Sequence, residues 1–457
     1  MDRYKVAVIG GGPAGYVAAV KAAQLGANVV LFEKDNLGGT CLNRGCIPSK
    51  TYLKNAEILE NIHAAAQRGI NLDLDSLSVD LKKAVAYKNR VVKKLSGGIK
   101  ALLKSYGVTI ISGEAVVNPD KTIVIGDTTV AADQIILATG SIVSVPPIPG
   151  ADTSGVVTSD EILDWKEAPQ SLAIVGGGVI GIEMARIFHA YGTQVHIVEM
   201  EERLCPFFDE EIAAEVHKDL TKKKVKVQTA TSVQKIAKSK HGLSLTLSDG
   251  KTLEVEKVLV ATGRKPDLGA IQSLNLKMDR GFIVVNDEME TSMKDVFAPG
   301  DVNGRSMLAH AASKMGEIAA ANAVGGSHKV NLTHVPSVVY GHPEIGCVGL
   351  TEAKASELGE ITVSRFPFQG NGRAVASGEA EGYIKMIIDS RYHEILGVHI
   401  IGPNASELIN QAAILMQQEI TADELAESIQ AHPTNSEALM EAAAATLGIC
   451  IHLPRES

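Results

Sequence analysis

Two stretches of the chain repeat one pattern of residues, and this duplication constrains the fold more than any other feature. Each begins with a short apolar run, YKVAVIG (4–10) or SLAIVG (171–176), passes through a glycine-rich turn into an apolar-faced helical segment, and ends in a second apolar run closed by an acid. The turn glycines and closing acids are Gly10, Gly12, Gly15 and Glu33 in the first stretch, and Gly176, Gly178, Gly181 and Glu199 in the second. A strand, a tight turn and a helix in this order predict a β-α-β unit of a parallel sheet.

The duplication extends beyond these two units. Ala-Thr-Gly closes an apolar run at 138–140 and again at 261–263, each time after a hairpin-like stretch. The proline-rich run SVPPIPG is typical of a crossing between units, and beyond residue 335 alternating strands are followed by helical segments. We therefore predict an α/β fold with two Rossmann-like dinucleotide-binding domains and a C-terminal α+β domain, divided at 1–149, 150–270, 271–335 (a return to the first domain) and 336–457.

Each glycine turn, in this context, is suited to hold a dinucleotide. The glycines let a pyrophosphate approach the backbone and meet the N-terminus of a helix. The closing acid can accept hydrogen bonds from an adenosine ribose, and Glu199 disfavours a 2′-phosphate through charge repulsion, which favours NAD over NADP. The alternative is a turn that uses its glycines only for packing. Two dinucleotides in one chain indicate hydride transfer between them, most simply between FAD and NAD.

Composition and charge exclude several other classes of protein. The formal net charge is −9 and no basic patch is present, so neither nucleic acid nor an anionic membrane is an expected partner. No apolar run is long enough to span a bilayer, and the N-terminus resembles neither a signal peptide nor a transit peptide. We therefore expect a cytoplasmic protein, or the mature form of one in an organellar matrix. Five cysteines in 457 residues do not make a disulfide framework.

Two of these cysteines, Cys41 and Cys46, lie close together in GGTCLNRGCIPSK (38–50). Their spacing is a poor match to zinc, which prefers C-x2-C with a second pair nearby, and iron–sulfur ligation needs four ligands. No metal is therefore expected. Two spare buried thiols remain possible. A bridge between the two cysteines needs a distorted backbone, which the glycines tolerate, and such a bridge is easily reduced, as a catalytic disulfide requires.

The stretch GGTCLNRGCIPSK resembles the redox signature of the class I pyridine nucleotide-disulfide oxidoreductases, and the resemblance covers essentially the whole chain. It implies that Cys41 exchanges with the substrate and that Cys46 lies against the flavin and passes electrons to it. It also implies that Lys50 lies near the flavin and pairs with Glu183. Without the resemblance, a solvated lysine and a helix-surface acid are the simpler interpretation of these two residues.

The resemblance also implies the residues that contact the two cofactors. For FAD the matched positions are Gly10, Gly12, Gly15, Glu33, Lys34, Gly39, Thr40, Lys50, Gly113, Ala115, Thr139, Gly140, Ser141, Asp301, Met307, Leu308, Ala309 and His310. For NAD they are Gly176, Gly178, Gly181, Glu183, Glu199 and Gly263.

The tail contains a candidate acid–base pair, His432 and Glu437, in AHPTNSEALMEA (431–442). The simpler interpretation is a surface histidine before a capping box, with Thr434 as N-cap and Glu437 as the third residue of the last helix. A dithiol substrate, however, attacks as its thiolate, and a histidine held by a carboxylate can take up the proton near neutral pH. HPTxSE resembles the acid–base motif of the same family, with His432 as base and Glu437 as its orienting partner.

Among the members of this family, the chain most resembles the dihydrolipoamide dehydrogenases. Mercuric reductases and large thioredoxin reductases add a C-terminal cysteine pair, whereas this tail has Cys450 alone. Glutathione and trypanothione reductases share HPTxSE but bind NADPH through arginines after the second glycine motif, where this chain has VEMEER. We therefore expect oxidation of dihydrolipoamide through a Cys41–Cys46 disulfide and FAD, with reduction of NAD⁺. The alternatives are an NADPH-dependent reductase similar to glutathione reductase, or a non-catalytic flavoprotein scaffold.

The resemblance finally implies the partners. We expect a homodimer with shared active sites, in which His432 and Glu437 of one chain reach the Cys41–Cys46 pair of the other. The expected substrate is a dihydrolipoyl group on a carrier domain of a 2-oxo acid dehydrogenase complex or of the glycine cleavage system.

Overall fold

A computed structural model describes residues 2–454. The first unit is a sheet in the order β3-β2-β1-β6-β5-β4, parallel from β3 to β6 and antiparallel beyond. Its elements are β1 (Asp2–Ile9), α1 (Pro13–Gln24), β2 (Val29–Glu33), α2 (Gly39–Arg44), α3 (Cys46–Ala64), α4 (Leu81–Ser105), β3 (Thr109–Ser112), β4 (Val116–Val117), β5 (Thr122–Ile125), β6 (Thr128–Leu137) and β7 (Ser141–Val143).

The second unit repeats this design with a parallel sheet in the order β11-β10-β9-β15-β8 and a three-stranded antiparallel sheet, β12-β13-β14, packed against it. Its elements are β8 (Val156–Thr158), α5 (Ser159–Ile162), β9 (Ser171–Val175), α6 (Val179–Ala190), β10 (Gln194–Val198), α7 (Glu210–Lys222), β11 (Lys226–Gln228), β12 (Val233–Ser239), β13 (Gly242–Leu247), β14 (Thr252–Val255), β15 (Lys257–Val260) and β16 (Arg264–Pro266).

After β16 the chain returns to the first unit. The returning elements are β17 (Met278–Asp279), β18 (Phe282–Ile283), β19 (Val296–Phe297) and α8 (Ala309–Ala323). β19 pairs in parallel with β6, and α8 packs on α1 in the core of the first unit. β16 pairs with β7, so the two chain crossings between the units run side by side.

The C-terminal unit is a five-stranded antiparallel sheet in the order β20-β21-β24-β23-β22. Its elements are β20 (Ser337–Val339), β21 (Glu344–Gly349), α9 (Glu352–Ser356), β22 (Ile361–Pro367), α10 (Gly372–Ser377), β23 (Tyr383–Asp389), β24 (Ile395–Gly402), α11 (Ala405–Gln417), α12 (Ala422–Ala426) and α13 (Glu437–Thr446). Side chains alternate across a strand, so one sheet face packs on α11 and α13 while the other faces the second unit. The predicted α/β fold class with a C-terminal α+β unit is confirmed.

Alternating strands and helices explain the parallel sheets, because each crossover helix covers one sheet face and its apolar side chains complete the core. Short 3-10 turns complete the described structure at Ala65–Arg68, Leu74–Ser76, Gly269–Ile271, Asp301–Asn303 and Phe368–Gly370. Within residues 2–454, no helix has both the length and the apolar character needed to cross a membrane.

Candidate active site

One cavity of about 1960 Å³ joins the two glycine turns and the cysteine pair. Nearly all of the predicted site residues line it. Gly15 and Gly181 do not, because each packs a helix onto a strand: a Cβ there would lie 1.8 Å and 2.1 Å from the carbonyl oxygens of Gly10 and Gly176. His432 and Glu437 are also outside the lining of this cavity.

The first glycine turn and its acid form one hydrogen-bonded unit. The backbone N–H of Gly11 donates to Glu33 Oε2 at 2.7 Å, and that of Asp35 donates to Glu33 Oε1 at 2.7 Å. Gly10 has φ +100°, and a Cβ at this position would lie 2.3 Å from the carbonyl oxygen of Ala138. The turn therefore needs glycine, and Glu33 is held at the mouth of the helix by two backbone donors.

The second turn reproduces this geometry. The N–H of Gly177 donates to Glu199 Oε2 at 2.5 Å, and that of Glu201 donates to Glu199 Oε1 at 2.8 Å. Gly176 has φ +112°, and a Cβ there would lie 2.4 Å from the carbonyl oxygen of Ala261. Glu199 is buried, so its charge faces the turn rather than bulk water. Both turns are thus built to receive a diphosphate at a helix N-terminus beside a fixed carboxylate.

A buried polar group in the first turn region fits the predicted FAD site. Thr139 Oγ1 is buried without a hydrogen-bond partner, and Thr139 lines the cavity. Buried hydroxyls are normally paired, so an orphan facing a cavity fits a bound polar ligand. Gly113 and Ala115 lie at the end of β3, where the N–H of Gly113 donates to Glu33 O at 2.8 Å.

A chain of polar contacts crosses the floor of the same cavity. Ser141 Oγ donates to Asp301 Oδ2 at 2.6 Å and accepts from Arg264 Nε at 2.8 Å. Arg264 Nη2 also donates to the carbonyl of Ser141 at 2.7 Å and lies 3.4 Å from Thr40 Oγ1. Sequence reasoning identified the other three residues but missed Arg264. The available signal was its position in the sequence: Arg264 directly follows the second Ala-Thr-Gly, as Ser141 directly follows the first.

Two further groups of predicted residues lie on the rim. Lys34 Nζ pairs with Asp267 Oδ2 at 2.6 Å. Met307, Leu308, Ala309 and His310 surround the start of α8 and line the cavity, and His310 Nε2 is 2.9 Å from the carbonyl oxygen of Pro336.

Among residues 2–454, no group of three or more His, Cys, Asp or Glu side chains is arranged to hold a metal ion.

The cysteine pair lies where one helix ends and the next begins. Cys41 is in α2, Gly45 interrupts the helix with φ −139° and ψ −114°, and Cys46 is the first residue of α3. A Cβ at Gly45 would lie 3.0 Å from the carbonyl oxygen of Thr40. The break brings the two partly buried thiols together, and both are free in this structure. The predicted distortion at a glycine is therefore present.

The two thiols have opposite acidities. The hydrogen bond from Cys41 lowers the pKa of Cys46 to about 7; burial acts in the opposite direction, and the Lys50 ammonium lowers the pKa of Cys46 further. The same hydrogen bond, together with burial, raises the pKa of Cys41 far above the ordinary thiol range. Cys46 also lies at a helix N-terminus, where a thiolate is stabilised. In the reduced pair these contacts favour the thiolate on Cys46 and the proton on Cys41.

Lys50 and Glu183 form an ion pair that joins the two units. Lys50 Nζ is 2.8 Å and 2.9 Å from the two carboxylate oxygens of Glu183, on α3 and α6 respectively. The N–H of Tyr340 donates to Glu183 Oε1 at 3.2 Å, and Lys50 Nζ lies 4.4 Å from the centre of the Tyr340 ring. The Glu183 side chain is only 4% exposed, which excludes the alternative of a helix-surface acid. Sequence reasoning missed Tyr340, for which no motif gave a signal.

His432 and Glu437 lie together on the C-terminal unit. His432 Nδ1 is 2.9 Å from Glu437 Oε1, and the N–H of Thr434 donates to Glu437 Oε2 at 2.8 Å. Although burial acts to raise it, these contacts with Thr434 and His432 lower the pKa of Glu437. The side chain of His432 is 77% exposed. Glu437 therefore holds an exposed histidine that lies outside the lining of its own chain's cavity.

The simpler interpretation, a capping box with Thr434 as N-cap, is wrong. The last helix begins at Glu437 with Ser436 as N-cap and no side-chain cap. Glu437 does reach back to the N–H of Thr434, but the Thr434 hydroxyl donates instead to the carbonyl of Ala431 at 2.7 Å. The Thr434 N–H occupies Glu437 Oε2, and Glu437 Oε1 contacts His432.

The sequence matches two models of one family. A model described as pyridine nucleotide-disulphide oxidoreductase matches residues 4–316, and the dimerisation domain of the same family matches residues 335–443. A dihydrolipoyl dehydrogenase of Bacillus subtilis is 40% identical over 98% of this chain and 99% of its own length. That of Thermus scotoductus is 40% identical over 99% of each chain. Mitochondrial dihydrolipoyl dehydrogenase 1 of Arabidopsis thaliana is 39% identical over 99% of this chain and 92% of its own.

Solved structures share the whole architecture. LpdA from Mycobacterium tuberculosis has a TM-score of 0.89 and 26% identity, covering 97% of this chain and 99% of that one. RclA, an HOCl-induced flavoprotein disulfide reductase from Escherichia coli, has a TM-score of 0.87 and 28% identity, covering 96% and 99%.

These matches confirm the predicted resemblance, the predicted class of enzyme and the predicted cofactors, FAD and NAD. They also show that the C-terminal unit is a dimerisation domain, in agreement with the predicted homodimer. The chain, with its two glycine turns, its cysteine pair and its dimerisation domain, belongs to the pyridine nucleotide-disulphide oxidoreductase family.

Proposed function

We propose that this protein is a dihydrolipoamide dehydrogenase, which oxidises dihydrolipoamide to lipoamide and reduces NAD⁺. The observation that carries the proposal is the placement of the Cys41–Cys46 pair, with Cys46 acidified, in one cavity with two nucleotide-type glycine turns. The relatives from Bacillus subtilis and Thermus scotoductus, both named dihydrolipoyl dehydrogenases, support the choice of substrate.

The thiol chemistry follows from the two acidities. In the oxidised enzyme, one thiolate of the dithiol attacks Cys41 of the disulfide, the S–S bond breaks, and Cys46 leaves as the stabilised thiolate. The second substrate thiol then attacks the mixed disulfide, which closes the cyclic disulfide of the product and releases Cys41. The substrate loses two electrons and two protons; Cys41 takes up one proton, and His432 accepts the other.

The residues around the cavity fit both cofactors. Gly10, Gly12, Glu33, Thr139 and Asp301 would hold FAD, while Gly176, Gly178 and Glu199 would hold NAD⁺. Bound FAD would supply the redox chemistry between these residues, as a two-electron acceptor for the reduced cysteine pair and a hydride donor to NAD⁺. Lys50 stabilises the thiolate of Cys46, and Glu183 holds the Lys50 side chain in place.

We further propose that each active site is shared between two chains. His432 is exposed, and neither it nor Glu437 lines the cavity of its own chain. A two-fold dimer through the C-terminal unit would present each histidine to the partner's cysteine pair. Because such an interface is isologous, each dimer would contain two equivalent active sites.

Subunit mixing tests the shared site. A Cys41→Ser homodimer and a His432→Gln homodimer should each be nearly inactive. When the two are unfolded, mixed equally and refolded, half of the dimers are hybrids, and each hybrid has one doubly damaged site and one intact site. Activity should then recover to about a quarter of wild type. Efficient hybrid formation, shown by two different affinity tags, with no recovered activity would contradict the shared site.

The substrate is tested by two assays in parallel. The proposal expects rapid NAD⁺ reduction by dihydrolipoamide and little NADPH-driven reduction of glutathione disulfide. The reverse result would favour the glutathione-reductase-like alternative. Inactivity in both assays, without the long-wavelength absorbance of a thiolate beside flavin on addition of a dithiol, would favour the non-catalytic scaffold.

The domain boundaries, the carrier and the location complete the proposal. The chain is divided into FAD-binding parts 1–149 and 271–335, an NAD-binding domain 150–270 and a dimerisation domain 336–457. The return of β19 to the first sheet supports the assignment of 271–335 to the FAD-binding domain.

The substrate is a dihydrolipoyl group on a carrier domain of a 2-oxo acid dehydrogenase complex or the glycine cleavage system. The proposed location is the cytoplasm or, for a mature organellar form, the matrix; relatives come from bacteria and from a plant mitochondrion.

A further inference from the structure

A row of polar side chains crosses the C-terminal sheet on the face that packs against the second unit. The strand register places Arg365 opposite Lys385, Lys385 opposite His399, and His399 opposite Cys347. Lys385 and His399 are buried. The neighbouring residues on the other face are apolar and form the core with α11 and α13. A buried lysine in the middle of a sheet is costly unless it is paired, so its partners identify its role.

Lys385 is held by three carboxylates. Its Nζ lies 2.8 Å from Asp209 Oδ1, 2.9 Å from Glu211 Oε1 and 2.7 Å from Glu352 Oε2. Arg365 completes the cluster by pairing with Glu211 and, at 3.2 Å, with Glu352. Glu352 lies on α9 of the C-terminal unit, whereas Asp209 and Glu211 lie at the start of α7 in the second unit. The cluster therefore joins the two units through an ion network whose central pair, Lys385 and Asp209, is buried.

Asp209 is the centre of this junction. Its Oδ2 accepts from the N–H of Glu352 at 3.0 Å, and its Oδ1 accepts from the N–H of Glu211 at 3.2 Å in addition to Lys385. Asp209 is thus both the N-cap of α7 and one of the attachment points of the second unit on the C-terminal unit. Its side chain is only 3% exposed, so these contacts are made away from bulk water.

The segment that ends at Asp209 forms the outer lip of the NAD side of the cavity. We define the lip as residues 200–208; Met200, Glu201, Pro206 and Phe207 of the lip line the cavity. The lip begins directly after Glu199, the acid of the second glycine turn. In its middle, the N–H of Cys205 donates to the carbonyl of Gly177 at 3.1 Å. The lip therefore covers the turn on which NAD⁺ is proposed to bind.

The conformation of the lip is imposed from outside. Cys205 has φ +44°, a left-handed backbone that residues with a side chain rarely adopt. Such a conformation persists only when the surrounding contacts require it. Leu204 and Cys205 are fully buried, while Met200 and Phe207 are 70% and 57% exposed. One end of the lip is tied to the second unit through Glu199, and the other end is tied to the C-terminal sheet through Asp209.

We infer that Lys385 is a positioning residue for nucleotide binding: by holding Asp209 it fixes the lip over the second glycine turn, so that the dimerisation domain contributes to the affinity for NAD⁺ and NADH. This inference rests on the proposed placement of NAD⁺ at Gly176, Gly178 and Glu199. Lys385 does not line the cavity, so its effect on the nucleotide passes through the lip.

The chain provides a matched control for the inference. Lys222, on α7, pairs with Glu381 of the C-terminal unit, so this ion pair also joins the two units. Both of its side chains are largely exposed, at 66% and 71%, and neither residue belongs to the lip. Exposed pairs of this kind contribute little. Lys222→Met thus removes a positive charge between the same two units without releasing Asp209.

The experiment measures NADH binding to the FAD-containing dimer by fluorescence titration, for wild type, Lys385→Met, Lys222→Met and Glu199→Ala. If the lip is correctly placed in only one tenth of the Lys385→Met molecules, the apparent Kd for NADH rises about tenfold. Reduction of the enzyme by dihydrolipoamide without nucleotide, followed in the stopped flow, should stay within about twofold of wild type, because the cysteine pair is unchanged. Lys222→Met should match wild type in both measurements.

The outcomes separate the inference from the proposed nucleotide site. Weaker NADH binding in Glu199→Ala with unchanged binding in Lys385→Met overturns the role of Lys385 alone. Unchanged binding in both variants overturns the proposed nucleotide placement itself. An equal loss of dithiol reduction and NADH binding in Lys385→Met shows a general structural role and also overturns the inference. If Lys385→Met does not fold, Asp209→Asn decides by the same criteria, because it keeps the shape of the side chain and removes its charge.

Discussion

Lys50→Met should raise the pKa of Cys46 and so remove most of its thiolate at neutral pH. The Lys50 ammonium is one of the groups that hold the pKa of this thiol at about 7, against 9.0 for an ordinary cysteine. A nearby opposite charge shifts a pKa by about 1–3 units; since Lys50 is partly exposed, about one unit is the expected change. At pH 7 the thiolate fraction of Cys46 should then fall from about one half to about one tenth.

The assay follows the long-wavelength absorbance that a Cys46 thiolate produces beside oxidised flavin. Enzyme reduced by one equivalent of dithiol is titrated with pH, and the midpoint of the absorbance reports the pKa of the pair. The midpoint should move to higher pH in Lys50→Met, because the folded protein then stabilises the thiolate less. Lys54→Met is the matched control: Lys54 lies one turn further along α3 and pairs with the exposed Glu57.

A second variant tests the sign of the effect. Glu183 acts to raise the pKa of Cys46, so Glu183→Gln, which leaves Lys50 over the Tyr340 ring, should move the midpoint to lower pH. An unchanged midpoint in Lys50→Met, with the flavin content of wild type, would refute the electrostatic role of Lys50. A shift of the same sign in both variants would show that the pair acts only by packing.

Two further predictions concern cofactor choice and the thiols. Glu199→Gln should narrow the preference for NAD⁺ over NADP⁺ by about 5- to 150-fold, because it removes a like-charge repulsion of about 1–3 kcal/mol between the carboxylate and the 2′-phosphate. Steady-state kinetics with both nucleotides measures this preference, and equal efficiency in the wild type would contradict the prediction. Cys46→Ser should abolish the long-wavelength absorbance while FAD stays bound, and Cys41→Ser should show it without any reductant. Cys450→Ser should behave as wild type in this spectrum, and a loss equal to that of Cys46→Ser would reject the assignment.

The parts of the fold that could be predicted from the sequence are those in which local chemistry decides the backbone. Gly10 and Gly176 have positive φ and touch a neighbouring carbonyl, so the turn needs glycine and the motif is visible in the chain. The contacts of Lys50 could not be predicted from its own segment. Its partner Glu183 lies on a helix of another unit, and Tyr340 belongs to a third, so only the packing of the units brings them together.

The capping box shows a different limit. A Thr-x-x-Glu pattern is a local signal, but Glu437 satisfies two demands at once, the N–H of Thr434 and the ring of His432. With these contacts the helix begins at Glu437, two residues later than a capping box at Thr434 would place it. Arg264 was missed for a related reason: its contacts with Ser141 cross from one unit to the other and depend on the pairing of β7 with β16.

The side-by-side crossing of β7 and β16 has a consequence for the order in which the protein forms during synthesis. The first sheet is complete only when β19 pairs with β6, and Asp301 follows β19, so the first nucleotide site draws on residues from Gly10 to His310. The second unit, in contrast, is made of one uninterrupted stretch. Domains generally form in chain order as they leave the ribosome. In this protein the second unit can fold before the first, because the first sheet is incomplete until β19 has been synthesised. The first unit is therefore the more prone of the two to aggregate during synthesis.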